Sequence, residues 1–204
     1  MERETKQTIV LGYNGTGKST LVRKIIKAYT AKPGRKALIV TPDPVEWNDI
    51  EETTLTKPSD FAFEGIKKYV WDDEDKVAIV AMKKIKKFYF DGMLIFDDCR
   101  GYLDATTPPW LKYFYIRRRQ KMIDLMLIGH GFTDIPPKAF TNCSDMFLFL
   151  TKDNFSSRKK DLVRYDDLLL HQSKVNAKAM DTRKAWTSSG LIEDNKHYLE
   201  RIIF

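Results

Sequence analysis

Near the N-terminus the segment Gly12-Tyr13-Asn14-Gly15-Thr16-Gly17-Lys18-Ser19 fits G-x-x-x-x-G-K-[ST] at every fixed position. It constrains the chain more than any other feature. The glycines let the backbone turn tightly and aim successive N–H groups inward at phosphate oxygens. An apolar run over 8–12 (TIVLG) precedes it and reads as a buried first strand. A helical pattern over 18–30 follows, with Leu21, Ile25 and Ile26 on one face and Pro33-Gly34 beyond its end. The helix start adds its positive dipole end to the loop. Gly12, Asn14, Gly15, Thr16, Gly17, Lys18, Ser19 and Thr20 are therefore candidate nucleotide-binding residues. Lys18 is placed to reach the β and γ phosphates, and the Ser19 hydroxyl to meet magnesium. The ligands expected are ATP, with GTP open, and Mg2+.

A magnesium site of this kind needs a second protein oxygen, usually from an acid at the end of a buried strand. The segment 93–98 (MLIFDD) supplies four apolar residues and then two carboxylates. Asp97 is the candidate metal residue, acting through water. Asp98 is the candidate base, beside the γ-phosphate, orienting or deprotonating an attacking water. Two acids can also do no more than cap a strand.

Strand-like runs alternate with helical patterns, which predicts an α/β fold with a largely parallel sheet. Further strands are expected over 36–41 (KALIVT), about 68–71, 93–98, 124–129 (DLMLIG), 145–150 (DMFLFL) and about 198–204. Residues 45–64 read as polar and irregular. A helix is expected over 74–90, with Ala78, Ala81, Met82, Ile85 and Tyr89 at helical spacing and Lys83, Lys84, Lys86 and Lys87 elsewhere on it. Those lysines suit a solvated face, or contacts to DNA. Thr107-Pro108-Pro109 sets up another helix, running to about Met122. At 204 residues the chain suits one domain, with a core over about 7–151 and one or two helices plus the last strand over about 152–204.

Lys and Arg number 35 against 28 Asp and Glu, a formal charge of +7. That balance is compatible with a polyanionic partner such as nucleic acid, and also with a basic protein that binds only a nucleotide. Cys99 and Cys143 are too few for a disulfide scaffold and have no metal-ligand spacing. No apolar run approaches the ~18 residues of a membrane span. Residues 1–7 are too polar for a signal peptide. A cytoplasmic setting is expected.

Four blocks in order, GYNGTGKST, MLIFDD, IRRRQKMIDLMLIGHG and DIPPKAFTNCSDMFLF, resemble the additional-strand P-loop ATPases of the FtsK–HerA superfamily, over about two thirds of the chain. That group includes DNA pumps and viral genome-packaging ATPases. The resemblance implies a three-layer α/β/α fold with a RecA/FtsK-like core. It also implies a strand between the phosphate-loop strand and the acidic strand, ending in a polar residue that senses the γ-phosphate. Glutamine is common there, and His130 is the matching position. Imidazole can donate a hydrogen bond or share a proton. Asp98 likewise stands where glutamate is commoner. Arg117-Arg118-Arg119 matches a segment from which one arginine commonly enters the neighbouring subunit's site. Arg117 or Arg119 is the candidate finger. Cations near a helix C-terminus also simply suit its dipole. The segment Asp134-Ile135-Pro136-Pro137 is expected at the surface.

The function implied is an ATP-hydrolysing, homo-oligomeric ring, a pentamer or hexamer, that translocates double-stranded DNA during viral or phage genome packaging. A capsid or portal vertex would be a further partner. The lysine-rich helix and Arg158-Lys159-Lys160 are candidates for DNA contact. Three other readings stay open: an assembly ATPase of the filamentous-phage type, a small-molecule kinase, and a switch that binds ATP with little hydrolysis.

Overall fold

Among the described residues seven strands form one sheet in the order β3-β2-β4-β5-β1-β6-β7. They are β1 (Gln7–Leu11), β2 (Lys36–Thr41), β3 (Gly65–Val70), β4 (Gly92–Phe96), β5 (Ile123–Gly129), β6 (Asp145–Leu148) and β7 (Glu200–Ile203). The first six pair in parallel, and β7 closes the edge antiparallel to β6. This computed structural model describes residues 4–71, 75–101, 103, 107–189 and 198–204. The expected helix start at Glu74 and the side chain of Ala78 lie outside what is described.

Strand alternation builds two apolar layers. Ile9, Leu11, Leu38, Val40, Leu94, Phe96, Leu125 and Leu127 face one side of the sheet. There they meet α2 (Asp75–Phe88), α3 (Pro109–Arg117), α4 (Pro137–Thr141) and α5 (Tyr165–Ser189). Val10, Ala37, Ile39, Met93, Ile95, Met126 and Ile128 face the other side. They meet Val22 and Ile26 of α1 (Lys18–Thr30) and the indole of Trp47. Such side chains contribute roughly 1.5–3 kcal/mol each when fully buried. The result is the expected α/β architecture, with helices on both faces of a mainly parallel sheet.

The helix after the phosphate loop has the expected bounds and the strand before it lies one residue earlier than expected, because both are set by local periodicity. Elsewhere the boundaries move. The helix begun at Pro109 stops at Arg117 rather than near Met122. Residues 118–122 turn instead, Met122 takes a positive φ of 55°, and the Ile123 amide bonds back to the Arg118 carbonyl. Strand β6 ends at Leu148 rather than at residue 150, since the Leu150 carbonyl accepts from the Tyr13 amide in the phosphate loop. Residues 45–64 are not uniformly polar in their packing. Trp47, Leu55 and Phe61 are buried, and Glu52 bridges to Lys68 of β3. The segment 134–137 is not a surface loop either. Ile135 and Pro136 are buried, because Ile135 joins the core beside Phe132 and Phe140.

Candidate nucleotide site

Parallel strands bring their C-terminal ends to one edge of the sheet, and that edge carries the cleft. Strand β1 runs straight into the phosphate loop, and α1 leaves it. Gly15 and Gly17 hold φ of 73° and 97°, which an L side chain would resist. Among the described residues no side chain caps α1, which leaves its first amides without a side-chain partner beside the cleft. At Gly12 the constraint is space: a Cβ would lie 2.5 Å from the Cβ of Phe149.

An open cleft of about 470 Å³ is lined by Asn14, Gly15, Gly17, Lys18, Ser19 and Thr20 on the loop side. Across from them stand Asp97, Asp98 and Arg100 after β4, His130 after β5, and Asp43 and Glu46 after β2. Gly12 and Thr16, both expected to bind nucleotide, do not line it. Thr16 is buried and its hydroxyl donates to the Tyr13 carbonyl at 2.7 Å, so its side chain shapes the loop. Lys18 points inward, its ammonium donating to the carbonyls of Gly12 and Tyr13. Burial lowers its pKa, an effect opposed by the Asp97, Asp98 and Glu46 carboxylates. A phosphate in the cleft would supply the counter-charge that burial withholds.

The two acids differ in surroundings. Asp97 is buried, and burial raises its pKa. One of its oxygens accepts the Trp47 indole N–H at 2.6 Å and the other the Asp98 amide at 3.0 Å. Asp98 sits at a positive φ of 44°, in the left-handed region that few side chains adopt. His130 Nε2 stands 3.4 Å from Asp98 Oδ1, and Arg100 Nε lies 2.9 Å from the same oxygen. The His130 bond, with Arg100 in support, holds the Asp98 pKa below the ordinary carboxylate value. Asp134 steadies the imidazole's backbone, its carboxylate accepting the His130 and Gly131 amides at 2.7 and 3.2 Å.

Ser19 and Asp97 line one cleft, so a hydroxyl and a carboxylate are available to a cation already bound to a nucleotide's phosphates. Among the described residues no group of three or more His, Cys, Asp or Glu is placed to hold a metal alone. The residues fit a cation that arrives with its nucleotide.

Arg117 and Arg119 are exposed and far from this cleft. They precede β5, whose 7 residues put its start roughly 20 Å from the His130 end. At that distance their side chains do not reach the cleft of their own chain. Arg118 is buried, donating to the Thr5 carbonyl at 2.6 Å. Among the other basic candidates, Arg158 is engaged by the carbonyls of Phe132, Thr133 and Ile135. Lys84 donates to the Thr56 carbonyl, and Lys86 lies over the Tyr113 ring. Lys83, Lys87, Lys159 and Lys160 are exposed.

Arg100, Asp43 and Glu46 line the cleft, and Trp47 stands behind Asp97, without having been singled out in the sequence. The adjacency of Arg100 to the acidic pair was a usable signal. Nothing local marked the other three.

No family model matches this sequence, and no curated protein matches it. Among the described residues no helix is long and apolar enough to cross a membrane. Comparison with solved structures gives whole-chain matches. The genome packaging NTPase B204 from Sulfolobus turreted icosahedral virus 2, in complex with ATP-gammaS, is 15% identical with a TM-score of 0.60, over 97% of this chain and 96% of that one. The same protein with AMPPCP is 17% identical with a TM-score of 0.62, over 84% and 86%. B204 described as the DNA-packaging ATPase of Sulfolobus turreted icosahedral virus is 15% identical with a TM-score of 0.59, over 96% of each chain. At these identities the likeness is one of fold: the chain has the mostly parallel α/β fold of these P-loop ATPases.

Proposed function

We propose that this protein hydrolyses ATP and uses the energy to move double-stranded DNA through a homo-oligomeric ring, as a genome-packaging motor of a virus or phage. One observation carries the reading: Lys18, Ser19, Asp97, Asp98 and His130 converge on one cleft although they come from three separate strand ends. The fold shared with B204 supports the packaging role.

The phosphate-loop amides and Lys18 would bind the β and γ phosphates, and Ser19 and Asp97 would hold the magnesium. Held there, it would supply positive charge against the phosphate oxygens. Asp98 would orient a water toward the γ-phosphorus and take its proton as the new P–O bond forms. The bond to the β,γ-bridging oxygen breaks, and ADP and phosphate leave. His130, touching Asp98 and facing the same space, would sense whether the γ-phosphate is present. Arg117 or Arg119 would complete a neighbour's site, which requires a ring, a pentamer or hexamer, of single-domain subunits. DNA contacts through exposed lysines such as Lys83 and Lys87 would be electrostatic and weakened by salt. A capsid or portal vertex in the host cytoplasm would anchor the ring.

The test is steady-state ATPase with and without duplex DNA, alongside Lys18→Ala. The expected result is stimulation by DNA of any sequence, falling as salt rises and absent in Lys18→Ala. A hydrolysis rate indifferent to DNA at low salt would overturn the motor; absence of nucleotide binding would overturn the whole reading.

A further inference from the structure

We infer that Trp47 is a positioning residue for Asp97, holding that carboxylate in the orientation that receives the nucleotide's cation. The inference rests on the function proposed above. Trp47 lies after β2 and is 1% exposed, packed with Val22, Ile26, Ile39 and Ile95. Its indole N–H donates to Asp97 Oδ2 at 2.6 Å, while the Asp98 amide donates to Oδ1 at 3.0 Å. Two donors arriving on different oxygens remove the rotation a carboxylate otherwise has about its last torsion.

The indole is itself held in place. The Arg23 guanidinium lies 4.4 Å from its ring centroid. Arg23 Nη1 donates to both oxygens of Asp49 at 2.6 and 2.7 Å, and Nη2 to the Glu46 carbonyl at 2.6 Å. Arg23 belongs to α1, the helix that starts at Lys18 and Ser19. A chain of contacts therefore runs from the phosphate-loop helix through Trp47 to the end of the acidic strand. It sets the spacing of the two protein groups that would meet the cation. Packing alone would be served by any large apolar ring. A buried indole also needs an acceptor for its N–H, and here that acceptor is the metal-facing acid. Outer partners that orient a ligand typically carry 10–100-fold in metal affinity.

The test uses the full chain and AMPPCP, which is not turned over, titrated calorimetrically in EDTA and again across a Mg2+ series. In Trp47→Phe, affinity in EDTA should stay within about twofold of wild type, and the Mg2+ concentration for half-maximal tightening should rise roughly 10- to 100-fold. A second variant carries 3-benzothienylalanine at position 47, which keeps the bicyclic shape and lacks only the N–H. It should show the same Mg2+ shift even where Trp47→Phe fails to fold. A benzothienyl variant with wild-type Mg2+ dependence overturns the inference and leaves Trp47 a core residue. Wild-type protein that binds no AMPPCP fails differently, by overturning the nucleotide site itself.

Discussion

His130 Nε2 stands 3.4 Å from Asp98 Oδ1, joining the end of β5 to the end of β4 inside the cleft. The two residues are adjacent because β5 pairs with β4, Phe96 lying opposite Leu127. The contact puts the proposed base and the proposed sensor in direct touch, so loss of either should be felt by the other. Asp98→Asn is expected to lower ATP hydrolysis by about 10²–10⁴-fold. Nucleotide affinity should be retained, as read by equilibrium binding. A variant that hydrolyses normally would remove Asp98 from the mechanism.

The same contact sets an acid limit. His130 and Arg100 hold the Asp98 pKa below its ordinary value of 3.8. The unfolded chain therefore binds more protons in the window between the folded pKa and 3.8, and stability rises with pH there. The contribution is fully present above that value and is lost as pH falls through the folded pKa. His130→Ala and Arg100→Ala should each raise the Asp98 pKa and move the acid limb of the hydrolysis profile to higher pH. Rate–pH profiles of the three proteins check this.

Three consecutive arginines should behave in two ways. Arg118→Ala removes a buried, charged donor to the Thr5 carbonyl and is expected to cost about 1–3 kcal/mol in denaturant unfolding. Arg117→Ala and Arg119→Ala, both exposed, should leave stability within about 0.5 kcal/mol. If one is a finger in trans, that variant should also lower the activity of wild-type subunits when mixed with them. Mixing curves that fall only in proportion to dilution would remove both from the proposed role.

Gly12→Ala tests the close approach of the phosphate loop to the strand end. The added Cβ would meet Phe149 Cβ at 2.5 Å, backbone-proximal and unable to swing aside. Overpacking of this kind costs about 1–3 kcal/mol. Unfolding midpoints should drop accordingly, and nucleotide affinity should fall with them as the loop is displaced.

Parts of this molecule were legible residue by residue. The phosphate loop is a local object: its glycines, the lysine and the following helix lie within one short stretch, and α1 and β2 have the boundaries their periodicity predicts. The acids after β4 were legible for the same reason. The end of α3 was not, because the turn at 118–122 depends on where β5 must enter the sheet. Ile135 and Pro136 looked like surface residues, since their burial is tertiary, Ile135 joining the core with Phe132 and Phe140.

Sequence by itself determined that a phosphate-binding loop opens this chain, that two carboxylates end a buried strand, and that the fold is α/β. Each follows from spacing within a few residues, where the backbone geometry is nearly dictated. Tertiary structure alone decided that Trp47 bonds Asp97, 50 residues away, that His130 reaches Asp98, and that Arg117 and Arg119 sit away from the cleft. Those relations depend on the order in which parallel strands lie side by side. That order comes from packing both faces of one sheet, which no local pattern encodes.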